Sequence, residues 1–281
     1  MKQIGILYHP QRADSCRLAG EIDDLLSGSG REVWHGIGDD ESGLRSTAPD
    51  LEMVVTLGGD GTIIRAARAL AALEVPILGV NLGRLGFLAE VEPGDIAQAL
   101  PRVLAGEYAI EARMMLHVEL RRQGALLLED EIVNEAFVGR GRLSRMALIS
   151  VQVDGHQMMT QNADGLIVST PTGSTAYCLS AGGPIVAPDL ECLTITPVAP
   201  HLSLAHAVVI PANRQLCLEL LSGQDAMLAL DGHLDTDMLP GDKVFCGASQ
   251  HRARFVRFGS DGAFYENVLR RLRWPDRSWT R

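Results

Sequence analysis

Aspartate, threonine and three glycines meet in the run Gly58-Gly59-Asp60-Gly61-Thr62, between a predicted buried strand and a predicted helix. Such a junction lies at the carboxyl edge of a parallel sheet, where ligands of open α/β folds bind. The glycines predict backbone with positive φ and bare N–H groups that a phosphate can approach, and the helix N-terminus is an anion site. Asp60 is suited to hold a hydroxyl group or help to hold a metal. The alternative is a tight turn in which Asp60 or Thr62 only caps the helix.

A longer run of small and hydroxyl-bearing residues extends over residues 164–184 and contains Pro171-Thr172-Gly173-Ser174-Thr175-Ala176-Tyr177. It offers many hydrogen-bond donors and acceptors with little bulk directly after a predicted buried strand, which suits close binding of a nucleoside. The alternative is a polar connecting loop.

A polar pair, Asn134-Glu135, interrupts the strand-like stretch 132–138. Alternation with one outward face would explain the pair without any function. Two adjacent polar side chains are equally suited to grip ribose hydroxyls.

The residue inventory excludes several classes of function. The 281 residues carry a net charge of −10, and only Lys2 and Lys243 are lysines among 25 basic residues. No basic stripe is available to bind nucleic acid, and a lysine-dependent phosphate loop is nearly excluded. An acidic chain that binds a polyanion needs backbone N–H groups, a few arginines and usually a divalent metal. By position after the glycine loop the candidates are Arg65, Arg68 and Arg84, although Arg65 and Arg68 would serve equally well as decoration of an exposed helix face.

Nothing in the chain predicts a membrane span or a disulfide framework. The most apolar stretch, residues 66–80, is interrupted by Arg68, Glu74 and Pro76. The cysteines at 16, 178, 192, 217 and 246 form no CxxC pair and are odd in number. We therefore expect a soluble protein of the reducing cytoplasm, with no membrane and no nucleic acid as partner.

Strands and helices alternate over the first hundred residues. The apolar patterns predict strands at 3–8, 51–57 and 75–80 and helices near 18–26, 62–73 and 95–104, with Pro101 expected to kink or shorten the last. This alternation predicts a parallel sheet with helices on both faces.

From about residue 113 the pattern changes to short strands separated by turn signals. Period-two patterning predicts strands at 116–120, 147–153 and 216–220, with shorter ones at 208–210 and 244–246. Tyr265, Val268, Leu269 and Leu272 then form a helical apolar stripe that needs a surface to bury it. We expect an α/β domain of residues 1–110 plus 260–281 and a β-rich, sandwich-like domain of residues 111–259, with the last helix returning to the first domain.

The chain resembles the NAD kinase family over nearly its whole length. The resemblance rests on the glycine loop at 58–62, the run Asn81-Leu82-Gly83-Arg84-Leu85-Gly86-Phe87-Leu88, the pair Asn134-Glu135, residues 164–184 and Asp231-Gly232-His233, in this order. The glycine loop alone is shared with 6-phosphofructokinases and with diacylglycerol and sphingosine kinases. The run 171–177 is more specific.

The resemblance implies that the β-rich domain of residues 111–259 binds NAD and that the protein phosphorylates the 2′-hydroxyl of its adenosine ribose. The donor would be ATP or another phosphoryl donor such as inorganic polyphosphate, with a divalent metal, Mg²⁺ or Mn²⁺, held mainly by the donor phosphates. Asp60 would be the catalytic base, within a phosphate loop of Gly58, Gly59, Gly61 and Thr62. Relatives of this kind are commonly homodimers or homotetramers.

The resemblance also implies a set of NAD contacts. Asn134 and Glu135 would contact ribose and base, Asp164 would lie near the nicotinamide, and Phe87 would pack against the base. Gly61 would lie close to the substrate beside Asp60. The adenine and ribose pocket would be lined by Thr172, Thr175, Ala176, Tyr177 and Ser180, and Arg145 and His233 would touch the dinucleotide.

Two departures and two alternatives accompany this interpretation. Asn162 stands two residues before Asp164, where many relatives have a basic residue, so we expect it to affect the preference between NAD and NADH. Residues 197–207 follow the family pattern only loosely. A lipid kinase would share the glycine loop but has no use for residues 171–177. A non-catalytic dinucleotide sensor would not need Asp60.

Overall fold

A computed structural model describes residues 2–83, 86–141, 145–201, 205–259 and 263–272. The chain divides into two compact units: unit 1 comprises the chain up to Ala112 and again from Ala253, and unit 2 comprises Arg113–Arg252. Arg84, one of the predicted phosphate partners, lies outside the described residues. No helix within the described ranges is long and apolar enough to cross a membrane.

Unit 1 contains a parallel sheet in the order β2-β1-β3-β4, to which the end of the last strand adds at Phe255 beside Ile77. Its strands are β1 Gln3–Tyr8, β2 Val33–Ile37, β3 Leu51–Gly58 and β4 Ile77–Asn81. Its first helices are α1 Ala13–Gly28, α2 Glu41–Thr47, α3 Asp60–Leu70 and α4 Ile96–Leu104.

Helices cover both faces of this sheet. Leu18 of α1 and Leu100 of α4 share a core with Ile4 and Val55 on one face. Successive strand residues point to opposite faces, and on the other face a Cβ at Gly79 would meet Ile63 of α3 at 2.7 Å. The predicted parallel α/β arrangement is confirmed, and the near-continuous apolar runs of β1, β3 and β4 reflect burial from two sides.

Unit 2 is built from strands, listed here in chain order: β5 Ala109–Arg122, β6 Ala125–Ile132, β7 Glu135–Arg140, β8 Ala147–Val153, β9 His156–Ala163, β10 Gly165–Ser169, β11 Cys192–Val198, β12 Val208–Pro211, β13 Leu216–Ser222, β14 Ala226–Leu230, β15 Leu234–Met238 and β16 Lys243–Arg257. One antiparallel sheet has the order β12-β11-β10-β7-β14-β15. In the other, β16-β13-β8-β9 are neighbours, and β5 pairs with β16 and β6.

The two sheets share one apolar core, as expected of a sandwich. Leu116, Val138, Leu166, Leu218 and Val244 are completely or almost completely buried in it. The predicted β-rich domain is confirmed. The short helix α5 Tyr177–Ser180 lies in the small-residue run.

Asp-Gly pairs close two hairpins of unit 2. Asp154 and Gly155 have φ of 50° and 79° between β8 and β9, and Asp231 and Gly232 have φ of 46° and 65° between β14 and β15. Two consecutive positive φ values are the signature of a type I′ turn. A third Asp-Gly pair, Asp164-Gly165, joins β9 to β10 without a positive φ at Gly165.

The last helix, α6 Ala263–Leu272, forms where the stripe predicted it. The expectation that the whole stripe is buried is wrong, because Tyr265 and Leu269 are 60% and 59% exposed. Helical periodicity alone therefore did not determine what the helix covers.

Candidate functional site

In unit 1, the glycine loop connects the buried strand β3 to α3 as the sequence predicted. Gly59 is the N-cap and Asp60 is the first helical residue, two positions earlier than expected. The expectation of positive φ in this loop is wrong: φ of Gly59 is −98°, and Gly58 and Gly61 are also outside the left-handed region.

Steric crowding explains only one of the three glycines. A Cβ at Gly58 would approach Thr62 Oγ1 to 2.5 Å, whereas a Cβ at Gly59 or Gly61 would meet no atom of the described residues within 4 Å. Within the described part of the chain, neither φ nor packing therefore requires glycine at positions 59 and 61. Bare backbone at a helix N-terminus remains well suited to the close approach of an anion.

The carboxylate of Asp60 does not cap its own helix. Its Oδ2 accepts the N–H of Phe87 at 2.9 Å, and its Oδ1 accepts the N–H of Leu88 at 3.2 Å. A Cβ at Gly86 would lie 2.0 Å from Asp60 Oδ1. The segment 86–88 thus fixes the orientation of a half-buried carboxylate at the carboxyl edge of the sheet, and the capping alternative is wrong for Asp60.

The arginines that follow the loop are committed to ion pairs. Arg65 pairs with Asp39 at 2.7 Å. Arg68 is buried, not exposed, and its guanidinium bonds Glu41 of α2. Arg68 therefore neither decorates an exposed face nor presents a free cation to a phosphate.

In unit 2, Asn134 and Glu135 stand at the point where β6 has ended and β7 begins. Asp231 Oδ1 accepts the N–H groups of Asn134 at 2.8 Å and Glu135 at 3.0 Å, and its Oδ2 accepts that of Val133 at 2.8 Å. The alternative that Asn134 and Glu135 simply alternate along one strand is wrong. The strand pairing is interrupted between β6 and β7, and both residues lie at this interruption. Three backbone donors converge on one carboxylate, an arrangement of charge-assisted hydrogen bonds.

The small-residue run folds against this junction. Thr170 donates its N–H to Asn134 O at 2.9 Å and its hydroxyl to Val133 O at 2.6 Å. A Cβ at Gly173 would lie 2.2 Å from Asn134 O, so only glycine permits this close approach. The run is therefore an ordered structure packed on Asn134, and the alternative of a loose connecting loop is wrong.

Two buried polar atoms in this region have no hydrogen-bond partner among the described residues. They are Glu135 Oε2 and Thr172 Oγ1. The Tyr177 N–H donates to the Glu135 carboxylate, but burial, helped by the nearby Asp231 charge, raises the pKa of Glu135 to about 8. Buried polar groups are nearly always hydrogen-bonded, so each of these atoms can take a hydrogen bond from a polar ligand or a water molecule.

Glu135 and Phe137 alternate along β7 onto the face of the sheet opposite the apolar core. The ring of Phe137 lies 5.8 Å from that of Tyr177, and Cβ atoms at Gly139 or Gly165 would each lie 2.5 Å from its Cζ atom. An aromatic platform beside hydroxyl and carboxyl groups is a surface on which a planar base can stack.

The structure thus brings together Asn134, Glu135, Thr172 and Tyr177. Asp164 lies at the opposite end of β10 from Ser169 and pairs with Arg140 at 2.7 Å. Five residues of strand place it about 15 Å along the sheet from Glu135. His233, beside the Asp231 turn, approaches Asp130 at 3.3 Å.

The other predicted contacts lie in several places. Thr175, whose hydroxyl donates to Thr172 O at 3.1 Å, and Ala176 are half-buried beside the cluster, and Ser180 is exposed at the end of α5. Asn162 is on β9 and pairs with Leu148 of β8, in the sheet that does not contain β7 and β10. Arg145 is exposed and precedes β8. Phe87 is in unit 1, where its N–H binds Asp60.

The sequence did not reveal Asp231, Phe137 or Arg140 as parts of the site. Asp231 carried a signal, since it opens the motif Asp231-Gly232-His233 on which the resemblance rests, but only His233 of this motif was assigned a contact. Phe137 and Arg140 lie in an ordinary alternating strand, and no local pattern distinguishes them.

Comparison with known proteins gives consistent matches over both units. The ATP-NAD kinase N-terminal domain family matches residues 39–108, and the ATP-NAD kinase C-terminal domain family matches residues 133–258. An NAD kinase of Geobacter metallireducens is 45% identical over 231 residues, which cover 82% of this chain and 81% of the relative. An NAD kinase of Dehalococcoides mccartyi is 35% identical over 278 residues, covering 99% and 98%.

Two solved structures share the fold. The yeast NADH kinase complexed with NADH superposes with a TM-score of 0.83 at 22% identity, covering 98% of this chain and 89% of that one. An NAD kinase from Archaeoglobus fulgidus in complex with ATP superposes with a TM-score of 0.74 at 24% identity, covering 96% and 99%.

Proposed function

The chain belongs to the NAD kinase family. From this premise we propose that Asp60 is the catalytic base, which accepts the proton of the 2′-hydroxyl of the adenosine ribose of NAD as ATP phosphorylates it. The overall activity is transfer of a phosphoryl group from ATP to NAD. The observation that carries the role of Asp60 is its fixed carboxylate at the N-terminus of α3, beside Gly59 and Gly61, where an added Cβ would meet no atom of the described residues within 4 Å.

A ribose hydroxyl is a weak nucleophile, so a base must take its proton as the new P–O bond forms. Phosphoryl transfer otherwise depends on alignment of the nucleophile and on neutralisation of the phosphate charge. Asp60 would accept the proton on its carboxylate, whose orientation the N–H groups of Phe87 and Leu88 fix. The N–H groups at the start of α3, including that of Gly61, would face donor phosphate oxygens, with Gly58 and Thr62 shaping the loop.

We propose that the unit 2 cluster of Asn134, Glu135, Thr172 and Tyr177 binds the adenosine part of NAD. Glu135, held protonated at neutral pH by its raised pKa, would donate a hydrogen bond from Oε2, and the Thr172 hydroxyl would satisfy a second polar atom of the nucleoside. Asn134 would contact the ribose, and the Phe137–Tyr177 pair would support the base.

The remaining contacts follow the family pattern. Thr175, Ala176 and Ser180 would complete the pocket, with Phe87 against the base and Arg145 and His233 on the dinucleotide. Asp164 would lie at the nicotinamide end, paired with Arg140, and Asn162 would influence the preference between NAD and NADH.

The residues around Asp60 fit a divalent metal that the donor phosphates bring with them. Both Asp60 oxygens already accept an N–H, and within the described chain the three-residue His/Cys/Asp/Glu group that could hold a metal lies on β5 and β6 in unit 2, not beside Asp60. Mg²⁺ or Mn²⁺, bound mainly by phosphate oxygens and water, needs no such cage. When bound, it would neutralise charge on the transferred phosphoryl group.

We also propose a cytoplasmic homodimer or homotetramer. All five cysteines are free, which fits a reducing compartment. Light scattering coupled to size-exclusion chromatography measures the subunit number directly.

Membership of the NAD kinase family removes the lipid-kinase alternative. Turnover in the following assay would reject the sensor alternative. The decisive experiment compares wild type with Asp60→Asn in a coupled assay of NADP formation from ATP and NAD. We expect kcat to fall by about 10² to 10⁴-fold, with the Kd for NAD largely unchanged. Asp95→Asn, an exposed aspartate before α4, is the matched control. An Asp60→Asn enzyme with more than about a tenth of wild-type activity would refute a general base of that strength.

A further inference from the structure

Two glutamates face each other directly across the hairpin formed by β5 and β6. Glu119 on β5 is the register partner of Glu129 on β6, and His117 lies two residues before Glu119 on the same face. Like charges directly opposite each other destabilise an antiparallel pair. Arg121 compensates part of this repulsion, since its Nε donates to Glu119 Oε2 at 2.6 Å.

The imidazole stands between the two carboxylates. His117 Nε2 lies 3.5 Å from Glu119 Oε1 and 3.5 Å from Glu129 Oε1, and the three atoms all lie within 4.8 Å of one another. Ligands of a tetrahedral ion with bonds of about 2.1 Å are separated by about 3.4 Å. The distances from His117 Nε2 to Glu119 Oε1 and to Glu129 Oε1 are already close to this value. The hydrogen bond from Arg121 goes to the other oxygen of Glu119, Oε2.

One side of this group opens to a cavity. His117 and Glu119 line a space of 320 Å³ together with Gln215, Phe245 and Gly247. Three protein ligands with an accessible fourth position form the coordination set of an open zinc site. The imidazole nitrogen selects against Mg²⁺ and Ca²⁺, which prefer all-oxygen ligands.

We propose that His117, Glu119 and Glu129 form a binding site for a divalent transition metal of the zinc class, which ties the edge strand β6 to β5. Among the described residues β6 pairs only with β5, so β6 is hydrogen-bonded along one edge. An ion bound by both strands would strengthen this single attachment. That strand leads directly to Asn134 and Glu135. The site is independent of the metal that accompanies ATP, and the proposal does not depend on the assigned role of Asp60.

Calorimetric titration of the chelator-treated full chain with Zn²⁺, without nucleotide, tests the proposal. We expect one ion per chain in wild type and an affinity at least about tenfold weaker in His117→Gln and in Glu129→Gln, since loss of a direct ligand should exceed the usual loss of an outer partner. His35→Gln, which removes an exposed histidine paired with Asp23 at 2.9 Å, should bind the ion as wild type does.

Titration with Co²⁺ gives a second measurement. A three-ligand site with a bound water should give the intense visible absorption of a four-coordinate ion, and this band should be absent from His117→Gln. NADP formation with Mg²⁺ and ATP verifies that each variant is folded. Equal ion binding by wild type and His117→Gln, or no stoichiometric binding by wild type, would overturn the proposal.

Discussion

The carboxylate of Asp231 holds the backbone N–H of Asn134 at 2.8 Å, although the two residues are 97 positions apart in the chain. The same carboxylate also binds the N–H groups of Val133 and Glu135. Asp231 itself is the first central residue of a type I′ turn, with φ of 46°. A hairpin turn therefore positions the residues to which we assign NAD binding.

Replacing Asp231 should weaken NAD binding more than it slows turnover. Asp231→Asn leaves one acceptor oxygen for three N–H donors, so we expect the KM for NAD to rise by about tenfold, equivalent to about 1.4 kcal/mol, with a much smaller change in kcat. We also expect the free energy of unfolding to fall by about 2 kcal/mol. Initial-rate kinetics and urea unfolding measure both, with exposed Asp235→Asn as the control. Equal losses in kcat and kcat/KM would place Asp231 in the chemical step instead.

Adding one methyl group at Gly86 should disturb the chemistry without removing any functional group. The new Cβ would lie 2.0 Å from Asp60 Oδ1, so the carboxylate must move. Displacement of a reacting group by about 1 Å can cost about 10²-fold in rate, and we expect Gly86→Ala to lower kcat by about this factor.

In Gly94→Ala the added Cβ meets nothing within 4 Å, which makes it the matched control for Gly86→Ala. Pre-steady-state rates and the Kd for NAD separate the effect on chemistry from the effect on binding. If Gly86→Ala turned over at the wild-type rate, the contact between segment 86–88 and Asp60 would have no part in catalysis.

Glu135 should make stability depend on pH in a defined window. Its carboxyl group has a pKa of about 8 in the folded protein against 4.5 in the reference state. Between these values the folded protein keeps a proton that the unfolded chain loses, so the free energy of unfolding falls as pH rises from about 4.5 to about 8. Below that window the contribution is fully present.

Glu135→Gln should abolish this dependence, because the amide does not titrate. Urea unfolding at pH 5, 6.5 and 8 should show that the free energy of unfolding of the variant rises relative to that of wild type as pH increases. For the exposed control Glu107→Gln, the difference from wild type should stay the same at all three pH values. Parallel curves for Glu135→Gln and wild type would show that the folded-state pKa is not raised.

Thr172→Val should separate ligand binding from folding. The buried Thr172 hydroxyl oxygen has no hydrogen-bond partner among the described residues, so its removal should leave the free energy of unfolding unchanged or raise it by up to about 1 kcal/mol. The Kd for NAD should rise by about two- to tenfold, the value of one hydrogen bond.

Thr170→Val is the contrasting variant, because the Thr170 hydroxyl donates to Val133 O at 2.6 Å and accepts the Gly173 N–H at 3.1 Å. It should destabilise the fold by about 1–3 kcal/mol, since two backbone groups lose their partner. Calorimetric binding and thermal unfolding distinguish the two. A Thr172→Val protein with unchanged NAD affinity would exclude this hydroxyl from the pocket.

The sequence by itself determined the type and place of many elements, because apolar periodicity and turn residues are local properties, although it did not predict β2 or α2. The strands at 3–8 and 147–153, the loop from β3 into α3 and the change to a β-rich second half were all predicted correctly. The order of motifs also identified the family, since the types of Asp60, Asn134 and Glu135 and their separation in the chain need no coordinates.

Only the tertiary structure decided what these residues touch. The burial of Arg68 on Glu41, the exposure of Tyr265, the three N–H groups gathered by Asp231 and the carboxylate pair Glu119–Glu129 depend on strand register and on helix docking. The glycine loop shows the same limit, because its bare backbone was predicted but its φ values were not. Local patterns specify conformational preference, whereas contacts between distant residues are selected by the packing of the whole fold.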